Sequence, residues 1–135
     1  MDPDEIDVLR DLLARTAGPD VVAAWLFGSH GRGQAGPSSD IDLALLRTSA
    51  PTTLDCLPDA LAGAVEQRMR AEVDLVVLNA ASPDLVHRVL RDGILLLERD
   101  RPARIAFEVR ARNAYFDLQP VLARYRRGPA REMHR

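Results

Sequence analysis

The chain has 135 residues, 47% of them apolar, and a formal net charge of −2. All 18 basic residues are arginine and none is lysine. A Walker A loop, a protein kinase and a Schiff-base enzyme each need a lysine, so these chemistries are excluded and phosphate handling falls to arginine, backbone amides or metal.

Asp2-Pro3-Asp4-Glu5 carries the marks of a helix start: a cap, proline at the first position and acids in the first turn. Ile6, Leu9, Leu12 and Leu13 then recur at helical spacing, and Gly18-Pro19 ends the helix. Residues 21–27, VVAAWLF, form a continuous apolar run of strand length, buried on both faces. Residues 28–39, GSHGRGQAGPSS, predict a loop. Asp40 to Leu46 predicts a second strand, a helix is expected over about 53–70, and Glu72 to Leu78 predicts a third strand. Ser82-Pro83-Asp84 repeats the cap signature for a helix reaching Arg91. Residues 94–97, ILLL, fit a short edge strand. Asp100 with Pro102 opens a long final helix to about Arg127, which Pro120 should kink or split.

The length fits one domain over 1–135. A single cysteine, Cys56, rules out an intrachain disulfide and suits a reducing, cytoplasmic compartment. No stretch approaches a membrane span, and the acidic N-terminus is unlike a signal peptide. Charge is unevenly spread: residues 1–98 hold 8 Arg against 16 acids, residues 99–135 hold 10 Arg against 4. The overall balance argues against direct nucleic-acid binding. The basic C-terminal end points to an acidic partner or nucleic acid there, or is a solvated helix face.

The richest stretch is Gly28-Ser29 followed, after ten residues, by Asp40-Ile41-Asp42. On a strand, positions two apart share a face, so Asp40 and Asp42 project together while Ile41 faces the core. Adjacent carboxylates repel, and a divalent cation resolves the conflict; Mg²⁺ prefers carboxylate, water and phosphate oxygens. Two such ions can activate an attacking hydroxyl and stabilise a leaving pyrophosphate. Asp74, in EVDLVVL, offers a third carboxylate for the second metal, or a base for the incoming hydroxyl. The glycine-rich loop lets backbone amides approach a phosphate, Ser29 adds a hydroxyl donor, and Arg32 adds the loop's only cation.

The spacing of Gly28-Ser29 and Asp40-x-Asp42 resembles the signature of the DNA polymerase β-like nucleotidyltransferases. GSHGRG followed by SSDIDLALL is similar to the minimal nucleotidyltransferase (MNT) branch, with Gly31 where alanine is usual. Residues 91–125 resemble the C-terminal segment of MNT antitoxins paired with HEPN toxins. The resemblance implies an α+β nucleotidyltransferase fold, a mixed sheet flanked by helices with a long C-terminal helix. It further implies Mg²⁺-dependent transfer of AMP from ATP to a tyrosine of a cognate HEPN ribonuclease, which modification silences. The metal would sit on Asp40, Asp42 and Asp74, and the triphosphate on Gly28, Ser29 and Arg32. Two alternatives are a transferase acting on a small molecule such as an aminoglycoside, and a non-catalytic module that masks a toxin.

Gly31-Arg32-Gly33-Gln34-Ala35-Gly36 is a literal GxGxxG, but Pro37-Ser38-Ser39 and a strand follow where a dinucleotide site needs a helix. Ser29 lacks the first glycine of a hydrolase elbow, since position 27 is Phe. His30 reads as a surface loop residue, His87 as a partly buried or surface histidine, and Cys56 as a small helix hydrophobe. The last helix carries Ile105, Phe107, Val109, Tyr115 and Phe116, an apolar load divided between core and a partner interface.

Overall fold

A computed structural model describes residues 1–28, 40–48 and 59–127. Helix α1, Pro3–Thr16, starts as its sequence dictates. The Asp2 side chain accepts from the Glu5 N–H at 2.8 Å, and the Glu5 carboxylate accepts from the Asp2 N–H, closing a capping box with Pro3 in the first turn. Strand β1, Val21–Phe27, is the apolar run itself, buried from Val21 to Leu26. Strand β2 spans Ile41–Arg47, helix α2 Asp59–Met69, strand β3 Val73–Val77, helix α3 Pro83–Asp92, strand β4 Ile94–Glu98 and helix α4 Arg101–Arg127. A single 3-10 turn, Leu78–Ala80, links β3 to α3. Among the described residues no helix is long and apolar enough to cross a membrane.

The strands form one mixed sheet in the order β3-β2-β1-β4. β1 pairs antiparallel with β2 and β4, and β2 pairs parallel with β3. Alternation along each strand divides the core into two layers. Ile41, Leu43 and Leu45 face a cluster with Leu9 and Leu13 of α1 and Leu61 and Val65 of α2. Ala44, Leu46, Ala23 and Trp25 face the other cluster, with Val86 and Val89 of α3 and Phe107 and Ala111 of α4. Most helical stability here comes from these apolar faces rather than from propensity.

Two elements differ from their expected form. β2 begins at Ile41 rather than Asp40, because the parallel ladder starts where the Ile41 N–H donates to the Glu72 carbonyl at 2.8 Å. Asp40 is the exposed residue just before it. Helix α4 runs through Pro120 without being split. A proline removes one i→i−4 bond, and the turns on either side keep theirs. Of the expected helix over 53–70, residues 53–58 lie outside the described residues, as do residues 29–39 of the expected loop, with His30, and Cys56.

Candidate active site

The direction of each strand gathers the acidic residues at one end of the sheet. β1 arrives there at Phe27, and β2 and β3 both depart from it. Phe27 is the register partner of Asp42, and Asp42 is the register partner of Asp74. Neighbouring strands lie about 4.8 Å apart in the hydrogen-bonding direction, so these two carboxylates stand side by side. Asp42 shares its face with Ala44 and Leu46, and Asp74 shares its face with Val76, all members of the layer covered by α3 and α4. Asp40 lies just upstream of the strand, two residues before Asp42. Asp42 is half-buried, while Asp40 and Asp74 are exposed.

Gly28 follows Phe27 directly and closes on Asp42. Its φ is +69°, in the left-handed region that favours glycine. A Cβ added there would overlap Asp42 Oδ2 and lie 3.0 Å from Asp42 Cγ. The position is therefore glycine for two independent reasons, conformation and space.

Sequence reasoning placed Asp42, Asp74 and Gly28 in one site, and the topology brings these three together. Ser29 and Arg32 lie outside the described residues. Among the described residues no three carboxylate or imidazole groups converge as a ready-made metal cluster. The arrangement is instead two register-paired carboxylates with a third just upstream. The donor set is hard oxygen, the type that binds Mg²⁺ through one or two carboxylates together with substrate phosphates.

The polar interactions away from this end are structural. Arg99 donates to the carbonyls of Ala17 at 3.0 Å and Ala14 at 3.2 Å, closing the C-terminal end of α1. Asn79 and Arg47 exchange hydrogen bonds of 2.8 and 2.9 Å, which ties the far end of β2 to the 3-10 turn. Arg104 is bridged to both Glu98 and Glu108. Burial alone would lower its pKa, but these two carboxylates hold it above the ordinary value. One feature carried no sequence signal. Arg70, at the end of α2, has a φ of +54°, in a position where glycine or asparagine is usual.

A mixed four-stranded sheet backed by helices, with paired acids leading two parallel strands and a glycine turn pressed on one of them, defines a nucleotidyltransferase fold. The chain belongs to the polymerase β nucleotidyltransferase family, whose model matches residues 9–102. It is 33% identical over 115 residues to the protein adenylyltransferase MntA of Shewanella oneidensis, spanning 84% of this chain and 76% of that protein. A solved toxin–antitoxin structure with AMP-PNP is similar at a TM-score of 0.70 and 28% identity, over 87% of this chain and 90% of that one. A complex of a tri-AMPylated Shewanella oneidensis HEPN toxin with its MNT antitoxin is similar at a TM-score of 0.66 and 26% identity, over 85% of this chain and 90% of that one.

Proposed function

We propose that this chain is an antitoxin that transfers AMP from ATP to a tyrosine of a cognate HEPN ribonuclease and thereby neutralises it. The single observation carrying the reading is the register pairing of Asp42 with Asp74, with Gly28 pressed against Asp42. The solved relatives that contain AMP-PNP or a tri-AMPylated HEPN toxin support the choice of nucleotide and partner.

In this reading residues 1–135 work as one minimal domain in the cytoplasm. Asp40, Asp42 and Asp74 would hold Mg²⁺, as two ions, which would supply neutralising charge for the triphosphate and the departing pyrophosphate. Gly28, Ser29 and Arg32 bind the triphosphate, through the close backbone approach that Gly28 permits and, from Arg32, a bidentate guanidinium. The tyrosine oxygen attacks the α-phosphorus in line, the bond from that phosphorus to the β-phosphate bridging oxygen breaks, and pyrophosphate leaves. Asp74, exposed beside Asp42, either completes the second ion's ligands or accepts the phenolic proton.

The test is label transfer. The chain is incubated with a cognate HEPN protein and with ATP labelled at either the α- or the γ-phosphate. Label from the α position alone, lost in Asp40→Ala, is expected. Label from the γ position would mean phosphorylation and overturn the reading.

A further inference from the structure

Helix α3 runs toward the carboxylate end of the sheet, since Gly93 leads straight into Ile94, the register partner of Leu26. Helix α4 starts at the opposite end, after Glu98, and packs along α3, where Tyr115 stacks on His87 with ring centroids 3.8 Å apart. α4 then continues eleven residues beyond Phe116, about 16 Å of helix. α3 and α4 thus cover the same sheet face that carries Asp42 and Asp74.

One face of α4 has no cover among the described residues. Ile105, Val109 and Phe116 are 43%, 45% and 55% exposed, the large apolar side chains most open to solvent among the described residues. Arg112 completes the series. Spacings of four, three and four residues set all four side chains along one stripe of the helix. The stripe adjoins a groove between α3 and α4 whose lining includes His87, Leu90, Arg91, Arg112 and Phe116, together with Glu108, whose carboxylate is engaged by Arg104.

The charges beside it are unequal in their partners. Arg88 pairs with Asp84, Arg91 with Asp92, and Arg101 and Arg104 with Glu98. Arg112, in the centre of the apolar stripe, meets no carboxylate among the described residues. A stripe of Ile, Val and Phe around one uncompensated guanidinium is matched by an apolar ridge bearing a carboxylate. A polyanion such as nucleic acid would leave the three apolar side chains uncovered, whereas a protein helix satisfies both parts at once.

We infer that the Ile105–Phe116 stripe of α4, with the groove beside it, docks the protein that receives AMP, through an apolar helix face carrying an acidic residue against Arg112. The inference rests on the acceptor being a protein, as proposed above. α4 lies over the sheet face that carries the carboxylates, so an acceptor held along its outer stripe is brought to that side of the sheet, and the surface sets the acceptor's KM rather than the chemical step.

The experiment compares wild type with Val109→Asp and Arg112→Glu, each at an exposed position that leaves folding intact, checked by thermal unfolding. Binding to the cognate HEPN protein and the kinetics of AMP transfer are measured. The expected result is at least a tenfold rise in the acceptor's Kd and KM, with kcat for transfer and affinity for an ATP analogue unchanged. Asp42→Asn should keep wild-type acceptor affinity while losing transfer. Wild-type KM in both stripe variants overturns the docking surface and leaves the transferase reading standing. Binding that depends on the stripe in a wild-type protein that transfers nothing supports the surface and removes the transferase reading. A chain that is dimeric alone and becomes monomeric in Val109→Asp would assign the stripe to a second copy and overturn the proposal.

Discussion

Replacing Gly28 with alanine tests the geometry of the site most sharply, because two separate costs meet at one Cβ. The first is conformational. An L-residue with a Cβ in the left-handed region costs about 1–2 kcal/mol, and Gly28 sits there with a φ of +69°. The second is steric. The new methyl would overlap Asp42 Oδ2 and lie 3.0 Å from Cγ and 3.3 Å from Cβ, so the carboxylate must move aside. A displacement of about 1 Å in a group that positions reactants costs on the order of 100-fold in rate. Gly28→Ala should therefore lower the unfolding midpoint by about 3–8 °C and reduce AMP transfer on the order of 100-fold. The steric part can be isolated by a double-mutant cycle. In an Asp42→Ala background the overlapping carboxylate is gone, and the stability cost of Gly28→Ala should fall to the conformational part alone. Gly63→Ala serves as the control. A Cβ there meets nothing within 4 Å inside α2, and the change should stabilise by about 0.5–1 kcal/mol without touching transfer. Thermal unfolding by circular dichroism and steady-state transfer kinetics supply both readouts. A Gly28→Ala protein with wild-type rate and midpoint would refute the claim that Gly28 positions Asp42.

Arg99→Met removes the donors that close α1 at Ala14 and Ala17, and should destabilise by about 1–2 kcal/mol in denaturant titration while leaving kcat intact. Arg70→Gly relieves a left-handed arginine at the end of α2 and should raise stability by about 1 kcal/mol; a lower midpoint would mean that the Arg70 side chain stabilises the turn. Asp74→Asn removes an exposed carboxylate beside Asp42. It should leave the midpoint within about 0.5 kcal/mol of wild type and cut transfer by roughly 100-fold or more, and chelation of divalent cations should silence the wild-type protein in the same assay, with added Mg²⁺ restoring it.

Much of the architecture was legible because local chemistry and burial agree. VVAAWLF could be buried on both faces only as a central strand, and β1 occupies the interior of the sheet. Asp2 and Ser82 each precede a proline that fits only a first helical turn, and both side chains accept the expected N–H. The shared face of Asp42 with Ala44 and Leu46, opposite Ile41, followed from the two-residue period of a strand. The pairing of Asp42 with Asp74 did not, since register across a parallel crossover depends on the length and path of the intervening chain, which periodicity does not encode. Nor did the left-handed Arg70, where the residue type runs against the conformation and tertiary packing prevails. Pro120 argued for a kink or a split in α4, yet a proline removes one hydrogen bond locally and α4 persists unsplit to Arg127. The exposed half of the α4 apolar residues could be counted in the sequence, but which of them face Val86 and Val89 and which face outward depends on where α3 lies.

The most direct test is the intact mass of a cognate HEPN protein after incubation with this chain, ATP and Mg²⁺, followed by fragmentation to locate the added group. AMP-sized gains on tyrosine are expected, absent with Asp42→Asn, with loss of the HEPN protein's ribonuclease activity in step with the modification. An unchanged mass in a tightly bound, silenced complex would contradict the proposed function, because neutralisation would then need no chemistry at Asp42.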